Sequence, residues 1–156
     1  MKRWIALIGW LLAAYAAGAV GAVASVDAAS FYAQLNKPSW APPAGVFGPV
    51  WSVLYALMGI SAWLVSGAPG SKRTALALFA AQLAANSLWS WLFFAWHRGA
   101  LAAADVLILL ALIVATVIAF SRSSRTAALL LVPYLVWVGF ASALTWAVWL
   151  RNPRLL

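Results

Sequence analysis

The chain contains no cysteine, only two acidic residues, one histidine and two methionines among its 156 residues. Without thiols it can form neither disulfides nor thiolate metal sites. One histidine and so few carboxylates leave no ligand set for a transition metal. Haem iron would have His97 alone to turn to, and that residue sits at an expected helix end, where an interfacial imidazole is the ordinary reading. No carboxylate pair is available for hydrolytic acid-base work, no Ser-His-Asp set can be assembled, and no glycine-rich phosphate loop is present. What remains is binding, passage, or a reaction in which the ligand supplies its own reactivity.

Charge is scarce as well. Charged residues make up 8% of the chain and hydrophobic ones 67%, against roughly 25% charged in a soluble domain. A helix needs about 20 apolar residues to cross roughly 30 Å of hydrocarbon, so the length accommodates about five or six spans and no soluble domain. The net charge of +8 comes from Lys and Arg placed almost entirely between apolar runs. That placement suits headgroup contact with anionic lipid and lacks the solvated basic face that nucleic acid requires.

The expected organisation is an all-α integral membrane bundle of five helices in a single domain, at about 4–24, 46–65, 74–96, 100–120 and 126–150, with an irregular, ordered loop at 25–43. The first run follows Met1-Lys2-Arg3 and ends Ala22-Val23-Ala24-Ser25, a pattern shared with cleaved leaders. Its length, and the small residues Gly9, Ala13, Ala17, Gly18 and Gly21, favour a retained helix that packs closely on a neighbour. Pro38, Pro42 and Pro43 bar helix from the loop, Pro49 is tolerated in a first turn, and Pro133 should kink the fifth span. Short connections at His97-Arg98-Gly99 and Ser121–Arg125 favour an up-and-down bundle. An amino terminus on the inner side follows from six basic residues against four, a narrow margin.

Eleven tryptophans are what the chain has in excess. Indole anchors helices at the headgroup boundary, fills cores, or walls a flat ligand. Trp4, Trp10, Trp96, Trp146 and Trp149 lie near span ends, where anchoring is the default. In the third span Gln82, Asn86, Trp89 and Phe93 fall on one narrow stripe at about 100° per residue. In the second, Trp51 and Tyr55 share a face, as Trp137, Ala141 and Leu144 do in the fifth. Each stripe reads either as core packing with interhelical hydrogen bonds or as one wall of a pocket for a large flat ligand. Asp105, the one acid inside a span, lies about a turn into the fourth helix within reach of Arg98, and anchoring or pairing is expected. Ala77, Ala81 and Ala85 repeat every fourth residue, suiting internal packing or a face between two copies.

Several segments together resemble one family. Leu35-Asn36-Lys37-Pro38-Ser39-Trp40-Ala41-Pro42-Pro43 and Phe47-Gly48-Pro49-Val50-Trp51-Ser52-Val53-Leu54-Tyr55 are similar to the first loop and second helix of the TspO/translocator protein family, also called tryptophan-rich sensory proteins or peripheral benzodiazepine receptors. Ala81-Gln82-Leu83-Ala84-Ala85-Asn86-Ser87-Leu88-Trp89-Ser90 resembles its third-helix motif and Pro133-Tyr134-Leu135-Val136-Trp137 its fifth. The resemblance implies a five-helix receptor, commonly a homodimer, with a pocket beneath the first loop for porphyrins such as protoporphyrin IX and for related hydrophobic ligands. It implies a ligand site of Tyr32, Trp40, Trp51, Asn86, Trp89, Trp137, Ala141 and Leu144, to which the stripes add Tyr55, Gln82 and Phe93. Trp51 and Trp137 would stand at the face where light- and oxygen-dependent porphyrin breakdown, the enzymatic alternative, takes place. Lys37 would be a partner for propionates. The sterol-recognition pattern of the family is incomplete, because Leu144 to Arg151 holds no tyrosine and Thr145 stands where asparagine is usual. Transport would call for discontinuous helices and paired repeats, which are not evident.

Overall fold

A computed structural model describes residues 2–156. Five helical stretches in it are long and apolar enough to cross a membrane. Helix α1 spans Lys2–Ala24, α3 Phe47–Ser66, α4 Arg73–Ser90, α5 Gly99–Ser121, and the last stretch is divided into α6, Arg125–Leu130, and α7, Val132–Arg151. Between α1 and α3 lies a short helix α2, Ala28–Gln34. Four antiparallel reversals place α2, the α4–α5 turn and the carboxyl end of α7 at one end of the bundle, here called the lid end.

The expected irregular loop is therefore partly helical. All its prolines lie after Lys37, so nothing in Ala28–Gln34 prevents the chain from closing about two turns before Leu35 becomes extended. Pro133 acts as expected. It cannot donate to the carbonyl four residues back, and the helix breaks at Leu131, which has φ −87° and ψ −10°. A feature with no sequence signal follows α4: Trp91–Ala95 continue the span as a π-turn, with Trp96 N donating to Trp91 O at 2.8 Å.

The end opposite the lid is closed by packing. Met58, Ala62, Val65, Phe79, Ile113, Phe120 and Ala127 have no measurable exposure. Phe79 and Phe120 stack at 5.8 Å, and Trp10 meets the edge of Phe79 at 5.9 Å. Trp10 is thus a core residue rather than a headgroup anchor. At Gly59 a Cβ would come within 2.9 Å of the Leu11 Cα, so α1 and α3 touch backbone to backbone there. Ser61 Oγ donates to Ala127 O at 2.7 Å, tying α3 to α6. The short helix α6 packs between α3 and α5 at this end, and α7 continues the span along α5.

Candidate ligand-binding site

At the lid end all five spans surround a cavity of about 650 Å³, within the range of small-molecule sites. Its walls are mainly apolar and aromatic. Trp51 and Tyr55 come from α3, where the four-residue spacing stacks their rings at 5.5 Å and 29°. Asn86 and Trp89 come from α4 and Phe93 from the π-turn that continues it, with the last two rings stacked at 5.1 Å and 14°. Trp137, Ala141 and Leu144 come from the inner face of α7, and Tyr32 descends from α2. Of the residues expected at the site, the cavity brings these nine together.

Trp40 and Gln82 lie elsewhere. Trp40 is 48% exposed and rests edge-on against Phe140 at 5.7 Å, on the outer side of the lid loop. Gln82 is one turn too deep. It is sealed in the core, where its Oε1 accepts from the Tyr134 hydroxyl at 2.7 Å. The stripe is real, but the cavity ends at Asn86.

Other walls carried weaker sequence signals. Gly18 and Gly21 on α1 leave room that a side chain would fill: a Cβ at Gly18 would lie 2.5 Å from the Tyr55 ring. Both glycines had been read only as aids to helix packing. Phe94 lines the cavity beside Phe93 because the π-turn changes the angular step between them. A regular α-helix would separate adjacent residues by about 100°.

Polar atoms on the walls have a consistent sign. The Tyr55 hydroxyl donates to Asn86 Oδ1 at 2.6 Å, which joins α3 to α4 on the cavity wall. The indole N–H groups of Trp89 and Trp137 are buried and have no acceptor among the described residues. An unsatisfied buried donor costs about 1–3 kcal/mol, so such groups favour any ligand that offers an acceptor. No Lys, Arg, Asp or Glu lines the cavity. Lys37 is turned away, its Nζ donating to Tyr32 O at 2.6 Å and Leu35 O at 3.0 Å, where it caps α2 and lies over the Tyr32 ring. A direct bond from Lys37 to an acidic ligand is thus not part of this arrangement.

The lid is fastened at several points. Asn36 N donates to Asn152 Oδ1 at 2.8 Å, and Asn152 Nδ2 donates back to Asn36 O at 3.0 Å. The Tyr32 hydroxyl donates to Pro42 O at 2.9 Å. Burial of this phenol raises its pKa above the usual tyrosine range, which keeps the donor protonated.

Two further expectations need correction. Asp105 is buried but forms no ion pair with Arg98, and its Oδ2 has no partner among the described residues. Arg98 is exposed just ahead of α5, and Asp105 lies two turns, roughly 10 Å, further along the axis. On α4, Ala77 and Ala81 are exposed, but Ala85 packs against the core. The exposed line continues through Ala84 and Leu88 instead, because a four-residue step drifts around a helix of 3.6 residues per turn.

Residues 9–150 match the model of the TspO/MBR family. The chain is 41% identical over 147 residues to Protein CrtK of Rhodobacter capsulatus, covering 92% of this chain and 91% of that protein. It is 42% identical over 126 residues to the tryptophan-rich protein TspO of Chlorobaculum tepidum, covering 79% and 80%. It is 36% identical over 154 residues to the translocator protein of Homo sapiens, covering 96% and 91%. With its five apolar spans, the chain is an integral multi-pass membrane protein and belongs to the TspO/MBR family.

Proposed function

We propose that this membrane binding protein is a receptor for porphyrins, protoporphyrin IX among them, and for related flat hydrophobic ligands. The observation that carries the reading is the cavity itself: indoles from three different helices and no Lys, Arg, Asp or Glu on its walls. A planar macrocycle buries large apolar faces against Trp51, Trp89 and Trp137. The relatives named as sensory and translocator proteins agree with a binding role rather than a hydrolytic one.

Titration of the purified protein with protoporphyrin IX, followed by quenching of tryptophan fluorescence, tests this. Replacing both Trp51→Ala and Trp137→Ala should weaken binding about tenfold or more. Unchanged affinity in a variant that keeps its helicity removes the pocket assignment.

A second reading rests on the same two indoles. Excited porphyrin held against Trp51 and Trp137 in the presence of oxygen is placed for photooxidative breakdown. Illuminating the complex beside Trp51→Phe and beside free porphyrin in detergent separates it from simple binding, since equal loss of pigment absorbance in all three makes the protein a bystander. For the copy-to-copy contact we take the exposed line Ala77, Ala81, Ala84 and Leu88 of α4, where small side chains let two helices approach.

A further inference from the structure

The uncharged cavity poses a problem for an acidic ligand, because a carboxylate taken into it would meet no cation. A second, shallower groove lies directly beside it on the lid-end surface, and Val26 and Phe94 line both. The groove runs between the end of α1, the outer face of α2, the π-turn and the carboxyl tail. Unlike the cavity it is charged, with Arg154, His97 and Asp27 on its walls. None of these three side chains forms an ion pair or side-chain hydrogen bond among the described residues. Asp27 stands at the start of α2 without capping it.

His97 is held by stacking and the backbone that carries Arg154 by hydrogen bonds. The His97 ring stacks on Phe31 at 4.1 Å and 17°, from a backbone with φ +50°. Arg154 belongs to a tail that folds back on itself, Leu155 N and Leu156 N both donating to Asn152 O. Leu156 ends against Gly99, where a Cβ would come within 2.7 Å of it. A guanidinium and an imidazole thus line one groove that shares Val26 and Phe94 with the neighbouring apolar cavity.

We infer that the groove is the carboxylate subsite of the cavity: Arg154 and His97 hold the acid groups of a flat ligand whose apolar body lies among the tryptophans, with Val26 and Phe94 at the crossing. The inference rests on the porphyrin reading and assigns its charged end. Arg154 supplies a forked donor suited to a carboxylate, and His97 donates one N–H even when neutral. Asp27 opposes the same anion and sets a limit on affinity. The ligand class that follows is an amphipathic planar acid, apolar at one edge and anionic at the other.

Protoporphyrin IX and its dimethyl ester, identical except for the acid groups, are the probes. Each is titrated into the full chain in phosphatidylcholine vesicles. Arg154→Gln should weaken the diacid about threefold to tenfold and leave the ester unchanged, and Asp27→Asn should strengthen the diacid alone. Arg154→Lys should restore part of the loss. Equal effects on diacid and ester, or none on either, overturn the subsite while leaving the cavity reading intact. If neither porphyrin binds the native chain, the porphyrin reading itself has failed, and this inference with it. Vesicles with phosphatidylglycerol are the third arm. Should that lipid abolish the difference between diacid and ester, the groove belongs to a lipid headgroup and the inference is wrong.

Discussion

The two ends of the bundle are built from the same helices and nearly the same composition, yet one is solid and the other hollow. At the solid end, Gly59 brings two backbones together and α6 fills the gap between α3 and α5. At the lid end, Gly18 and Gly21 again remove side chains from α1, but Gly18 faces the Tyr55 ring, Gly21 faces the Ser90 side chain, and both line the cavity. A small residue therefore closes a gap where the opposite helix presents backbone and opens one where it presents a side chain. Hydrophobic content does not distinguish the two situations; what the glycine faces does.

That contrast breaks most visibly at the glycines. Gly59→Val should destabilise the bundle by about 3 kcal/mol, because the Leu11 backbone cannot move aside. Gly18→Ala meets the Tyr55 ring, which can give way toward the cavity by yielding its bond to Asn86. It should lower the thermal unfolding midpoint in detergent less than Gly59→Val does, while lowering protoporphyrin IX affinity. Equal losses of midpoint in the two variants would erase the distinction between the ends.

A smaller effect is expected from the lid. Asn152→Ala removes both hydrogen bonds to Asn36, which should loosen the lid by about 1–3 kcal/mol. Limited proteolysis between Lys37 and Pro43 should speed up, and the solid end should keep its protection in amide exchange. A uniform loss of protection would mean that the ends do not open separately.

The smallest concerns pH. Tyr32 has a pKa raised by burial above its unfolded value. Its contribution to lid stability is accordingly complete below the unfolded tyrosine value, about 10, and is lost as pH rises through the folded value. Lid proteolysis should therefore accelerate at alkaline pH in the native chain. Tyr32→Phe, which lacks the bond to Pro42 O, should show the faster rate already at neutral pH and lose this component of the alkaline rise.

Much of this architecture was legible in the sequence because hydropathy and proline act locally. Apolar runs of spanning length set the five helices, and Pro133 set the break in the last one. Periodicity brought Trp51 with Tyr55, and Asn86 with Trp89 and Phe93, onto shared faces. Depth along a face was not legible. Gln82 lies on the right stripe yet in the core, because where a cavity ends depends on the neighbouring helices. Nor did spacing reveal α2, the π-turn or the outward position of Trp40. Each is decided by contacts between segments far apart in the chain, and a proline cluster says only where helix is barred.

One such contact sets an order in time. Asn36 and Asn152 are 116 residues apart, and the second is made only after every span has been synthesised. Until then the roof of the cavity lacks this fastening and rests on its ring contacts alone. A chain emerging from the ribosome can insert and pack its first helices without being able to enclose a ligand, and the enclosed site arises in a single late step. Half-made copies are thereby kept from competing with finished ones for whatever the cavity binds.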